Sequence, residues 1–126
     1  MLKVVKLKKT PVPALPWQEA CHKILGGKYE LDLIFTPAPF MRQMNRRYRQ
    51  KNKSTNVLAF SLASRAGEIL VDPALAKKEA KFYGEAFKKY LWRLYVHALL
   101  HLKGLRHGRT MDKAAAKFLK IKWRAT

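Results

Sequence analysis

Apolar and polar positions alternate through residues 29–35, with Tyr29, Leu31, Leu33 and Phe35 on one side and Glu30, Asp32 and Ile34 on the other. A period of two is that of a half-buried strand. Leu2 to Leu7 predicts another short strand, with basic residues at its exposed positions. Val57 to Leu62 and Glu68 to Val71 predict two more, joined through Ala63–Gly67 as an antiparallel hairpin. Elsewhere the period is helical. Trp17 to Leu25 follows an extended connector containing Pro11, Pro13 and Pro16 and stops at Gly26-Gly27. Thr36-Pro37 offers a cap and first turn for a helix that puts Met41, Met44 and Tyr48 on one face, which is expected to pack inward. A turn over residues 52–55 follows. Asp72-Pro73 opens a further helix that ends near Gly84, and Thr110 caps a last one with Ala114, Ala115, Phe118 and Leu119 as its inner stripe.

Residues 85–103 differ from these one-sided helices. Apolar residues at 87, 91, 94, 95, 98, 99 and 102 form a stripe, and Trp92, Val96 and Leu100 fall on other faces. A helix apolar nearly all round is a central, buried one. The order β-α-β-α-β-β-α-α-α gives an α+β class: a single domain, residues 1–126, with a small mixed sheet of about four strands packed against about five helices. Strand order does not follow from periodicity.

The 126 residues, 48% of them hydrophobic, support one core. Charge narrows the partner: 27 Lys and Arg against 8 Asp and Glu leave a formal charge of +19. Such an excess favours a polyanion, because basic side chains that neutralise phosphates release condensed counterions. The arginine-rich helix with Arg42, Arg46, Arg47 and Arg49, running into Lys51 and Lys53, is the densest basic cluster, and guanidinium groups suit phosphate recognition by paired donors. No basic segment carries the long one-sided apolar face of a membrane-surface helix. The single cysteine, Cys21, excludes an internal disulfide and is expected to be buried; no disulfide-linked partner is expected. Without an apolar leader or a spanning run, the expected compartment is the cytoplasm, with no membrane partner.

Three of the four histidines, His97, His101 and His107, fall within eleven residues. The first two, four apart, share a helix face on the central buried helix. Gly104 can adopt the left-handed conformation that ends a helix, and the returning chain can bring His107 towards the same side. Three imidazoles with a vacant fourth position define a catalytic zinc site rather than a closed structural one. His22, on the Trp17–Leu25 helix, is expected at the surface. The zinc-protease pattern H-E-x-x-H requires a Glu where this chain has Ala98.

The run from His97 to His107 resembles the H-G-x-L-H-L-x-G-Y-D-H signature of the YbeY family, bacterial metal-dependent endoribonucleases linked to ribosomal RNA maturation. Residues 44–60, MNRRYRQKNKSTNVLAF, resemble the family's L-N-x-x-Y-R-x-K-D-x-x-T-[DN]-V-L-S-F, and Gly67-Glu68-Ile69 resembles its G-D-I. The resemblance covers roughly residues 30–107. It implies a zinc-dependent, single-strand-specific endoribonuclease acting in ribosomal RNA maturation and ribosome quality control. On this reading His97, His101 and His107 hold the metal, Arg49 contacts the scissile phosphate, and Arg46, Arg47, Lys51 and Lys53 position RNA, with ribosomal RNA or ribosomal particles as partners. The chain departs from the family pattern at Asn52, Ala59, Glu68, Ala98, Leu105 and Arg106, none of them an implied ligand. Arg106 replaces a carboxylate beside His107, which changes the group available to orient that imidazole. The rival reading is a non-catalytic, metal-stabilised RNA-binding ribosome assembly factor. A zinc peptidase comes third, for want of the Glu at position 98.

Overall fold

A computed structural model describes residues 1–7, 11–49, 55–104 and 113–116. In chain order the elements are β1 (Leu2–Lys6), α1 (Trp17–Leu25), β2 (Glu30–Phe35), α2 (Ala38–Arg49), β3 (Val57–Ala63), β4 (Ala66–Val71), α3 (Pro73–Phe82) and α4 (Phe87–Leu102), with a further helical turn over 113–116. The strands form one sheet in the order β1-β2-β4-β3. β1, β2 and β4 run parallel, and β3 pairs antiparallel with β4, Val57 opposite Val71 and Leu58 opposite Leu70. The class is therefore α+β with a mixed four-stranded sheet, as expected, and β3 is an edge strand.

The alternation along β2 sorts its side chains between two cores. Leu31, Leu33 and Phe35 join Ile69 and Val71 against α1 and α4, and Val57 and Ala59 of β3 pack beside them. Leu58 and Leu70 point to the opposite face, where Met41 of α2 covers them with help from Ile34, Met44 and Phe60. α4 is central: Tyr90, Leu91, Trp92, Tyr95, Val96, Ala98, Leu99 and Leu100 are all buried. Trp92 and Tyr95 interlock with Trp17 of α1, the Trp17–Tyr95 pair meeting edge to face at 4.9 Å. The Tyr95 hydroxyl donates to the Trp17 carbonyl at 2.7 Å, which satisfies the one polar atom this ring brings into the core.

Helix starts follow local chemistry in one case and not in another. Asp72 caps α3, its Oδ1 accepting from the N–H groups of Ala74 and Leu75 at 3.1 Å each, with Pro73 in the first turn. Thr36 does not cap α2. Its own N–H donates to the Val71 carbonyl and so continues the β2–β4 ladder, and its Oγ1 is buried without a hydrogen-bond partner. The sheet holds the residue that local sequence would assign to the helix.

Gly67 reports a close approach between β4 and its surroundings. A Cβ there would collide with the Tyr29 hydroxyl, lie 2.9 Å from the Phe60 carbonyl oxygen and 3.2 Å from Leu102. Only hydrogen fits between the sheet and the end of α4.

Candidate functional site

An open groove of about 680 Å³ runs between α4 and the free edge of the sheet. Leu94, His97, Ala98 and His101 of α4 form one wall; Val57, Ala59, Phe60 and Ser61 of β3, with Thr55 and Asn56 before it, form the other; Tyr48 of α2 stands at the far side. The two histidines face the groove because they share one stripe of the helix with Leu94, while Leu91, Trp92, Tyr95, Val96, Leu99 and Leu100 are turned into the core.

His97 is half-buried and its orientation is fixed. Nδ1 lies 2.9 Å from the carbonyl oxygen of Arg93, one turn back. A carbonyl only accepts, so Nδ1–H donates, and in the neutral ring the lone pair is on Nε2. This is the tautomer of a metal-binding or proton-accepting imidazole whose other nitrogen is tethered. His101 is exposed. Two residues beyond α4, Gly104 has φ +104°, the conformation expected of a helix-ending glycine, and its N–H donates to the His101 carbonyl at 3.0 Å. His107 lies outside the described residues, among which no three His, Cys, Asp or Glu side chains cluster.

The basic cluster is partly described. Arg46 and Arg47 are exposed on α2, and the Arg47 guanidinium lies 5.6 Å from the centre of the Tyr48 ring. Arg49 is the last residue of α2; its side chain, with Lys51 and Lys53, lies outside the described part of the chain. Tyr48 corrects an expectation. It is 56% exposed rather than packed inward, and it leans on Phe60 at 5.1 Å with its outer side open to the groove. Met41 and Met44 cover the sheet, but the helix outruns the second core before Tyr48.

The structure also assigns a role that the sequence reading missed. Asn56 enters the groove wall and donates through Nδ2 to Glu79 Oε1 of α3 at 2.9 Å, while the Tyr90 hydroxyl donates to the same oxygen at 3.1 Å. Burial first, and then the bond and charge of Glu79, hold the Tyr90 phenol above its ordinary pKa. Glu79 thus ties the loop before β3 to α4. Glu85 forms a two-pronged ion pair with Arg93 at 2.6 and 2.7 Å, steadying the turn of α4 whose carbonyl orients His97. No local pattern connects Asn56 with Glu79. The nearest signal is the Thr55-Asn56 match to the family's T-[DN].

A helix-borne imidazole pair beside a partly aromatic groove, with Arg47 against the Tyr48 ring at its rim, marks the candidate site of this α+β domain. A family model described as Endoribonuclease YbeY matches residues 7–122, and the chain belongs to that family. An endoribonuclease YbeY from Bartonella quintana is 42% identical over 94 residues, covering 68% of this chain and 59% of that one, so the match spans less than two thirds of that relative. An endoribonuclease YbeY from Aquifex aeolicus is 31% identical over 114 residues, covering 82% and 76%. A Thermotoga maritima protein solved in solution shares the fold, with a TM-score of 0.68 at 22% identity over 95% of this chain and 87% of that one.

Proposed function

We propose that this chain is a zinc-dependent endoribonuclease that cleaves single-stranded RNA, acting in ribosomal RNA maturation and ribosome quality control. The observation that carries the reading is the tethered His97. With Nδ1–H committed to the Arg93 carbonyl, Nε2 is a preset donor beside His101 in a groove open to a polymer. Imidazole nitrogens suit zinc, so the two described donors fit such an ion, and the H-x-x-x-H-x₅-H spacing makes His107 the third ligand. When bound, zinc supplies Lewis acidity towards a phosphoryl oxygen and lowers the pKa of water towards ~7.

The chain's own residues do the rest. Arg46 and Arg47, with Lys51 and Lys53, draw in and register the RNA backbone. Arg49 meets the scissile phosphate and stabilises the charge that grows during attack. Tyr48 and Phe60 offer apolar surface for a base. Asn56, its Nδ2 engaged by Glu79, keeps Oδ1 as an acceptor for a ribose hydroxyl. The described groove lining contains no carboxylate, so nothing there repels phosphate.

Single-turnover cleavage of a ribosomal RNA fragment at saturating protein tests this. Arg49→Ala should slow cleavage by ~10²–10³ with little loss of binding, since the interaction it removes strengthens in the transition state. His101→Ala should lose both metal and cleavage. Equal cleavage by wild type and both variants would identify a contaminating nuclease and leave the assembly-factor reading.

A further inference from the structure

We propose that the corner between α3 and α4, built on Phe82 and Tyr83, is a second RNA-binding site: a stacking platform for unpaired bases outside the groove. It rests on the RNA-cleaving reading above. Phe82 is 83% exposed and Tyr83 68%, and their rings touch edge to face at 5.1 Å. Isolated surface aromatics need no explanation, but this pair is held in place. Tyr83 N–H donates to the Glu79 carbonyl at 3.0 Å, Gly84 turns the chain at φ +66°, and Glu85 N–H donates to the Ala80 carbonyl at 2.8 Å. The Tyr83 ring stacks on Tyr90 at 6.3 Å and 21°, and Tyr90 is itself fixed by Glu79 and by the Arg93 guanidinium 5.3 Å from its centre. Two large rings are thus presented to solvent on a fixed backbone.

The surroundings choose the occupant. Lys77, Lys78, Lys81 and Lys89 are exposed around the corner, with Lys78 one turn before Phe82 on the same helix face. The nearby Glu85 carboxylate is taken up by Arg93. Protein interfaces are poor in lysine, whereas single-stranded nucleic acid takes aromatic faces for its bases and cations for its backbone. The corner lies along the same helix as the groove: Tyr90 is on the stripe of His97 and His101, roughly 10 Å before His97 at the helical rise per residue. A strand threaded past the histidines reaches the rings within a few nucleotides.

The test is binding of a single-stranded RNA carrying 2-aminopurine, and of a duplex of equal length, to the full chain. Against wild type, the double variant Phe82→Ala/Tyr83→Ala should bind the single strand about tenfold more weakly, lose the quenching that stacking produces, and change little on duplex. Phe82→Trp and Tyr83→Phe should retain both binding and quenching. Wild-type affinity and quenching in the double variant would overturn the platform while leaving the RNA reading intact. Equal weakening on single strand and duplex would assign the loss to charge rather than stacking and would also overturn it. Absence of RNA binding by the wild type would sink both readings together.

Discussion

Glu79 gives the sharpest test of how the groove is held. One carboxylate oxygen accepts from Asn56 at 2.9 Å and from the Tyr90 hydroxyl at 3.1 Å, in a half-buried position joining α3, α4 and the loop before β3. Replacing Glu79 by Ala removes both bonds and leaves two donors without their acceptor. Hydrogen bonds to charged groups contribute about 1.5–3 kcal/mol each when buried, and water partly replaces a half-buried pair, so the loss should be roughly 2–3 kcal/mol. In a domain of this size that lowers Tm by about 10 °C. Glu79→Gln keeps an oxygen that can accept from both partners and should lose less than about 1 kcal/mol. Thermal and urea unfolding measure stability, and single-turnover RNA cleavage measures whether Asn56 has moved: Ala should slow it and Gln should largely restore it. A Tm within about 3 °C of wild type for Glu79→Ala, or equal losses for Ala and Gln, would refute the reasoning.

Gly67→Ala should destabilise the fold by about 1–3 kcal/mol in urea unfolding, because the added methyl meets Tyr29, Phe60 and Leu102, and an unchanged midpoint would show that β4 yields freely. Stability should fall as pH rises above about 10, the ordinary phenol value. Burial raises the Tyr95 pKa in the fold, so its stabilising contribution is complete below the unfolded value and is lost as pH climbs towards the folded one. Tyr95→Phe should flatten that alkaline decline in unfolding experiments across roughly pH 9–11, at a cost of roughly 1 kcal/mol at neutral pH for the bond to Trp17. Replacing Arg46 and Arg47 together by Ala should make the slope of log affinity for RNA against log salt shallower by about 0.7 for each phosphate no longer neutralised, and an unchanged slope would remove these arginines from the interface.

The elements that the sequence made legible are those whose burial repeats along one strand or helix. α1 falls over the predicted residues, the all-round apolar run became the central α4, and Gly104 adopts the positive φ that its place after His101 required. What stayed hidden depends on partners distant in the chain. Thr36 looked like a cap, but the Val71 carbonyl keeps it in the sheet. Tyr48 shares its helical period with Met41 and Met44, yet lies beyond the surface they cover, where its nearest ring is Phe60. The Asn56–Glu79 link joins residues 23 apart, and no periodicity reports such a pair. Strand order was likewise invisible, although it makes β3 an edge and therefore a groove wall.

The same helix serves as core and as groove wall, and this division bears on the chemistry proposed for the groove. Leu99 and Leu100, between the two histidines in the chain, are fully buried, so packing locks the backbone that carries the imidazoles. The position after His97, where a zinc peptidase needs its carboxylate, is Ala98, 6% exposed on a wall that continues through Leu94, Val57 and Ala59. A glutamate there would be partly desolvated, and an incoming phosphate would meet its charge at close range. On the proposed reading the small neutral side chain would let a polyanion approach the imidazoles, while Arg46 and Arg47 stay exposed on α2, where water keeps their charge cheap until RNA replaces it. Buried geometry and exposed charge are thus separated between α4 and α2, and on the proposed reading RNA bound across the groove would bring them together.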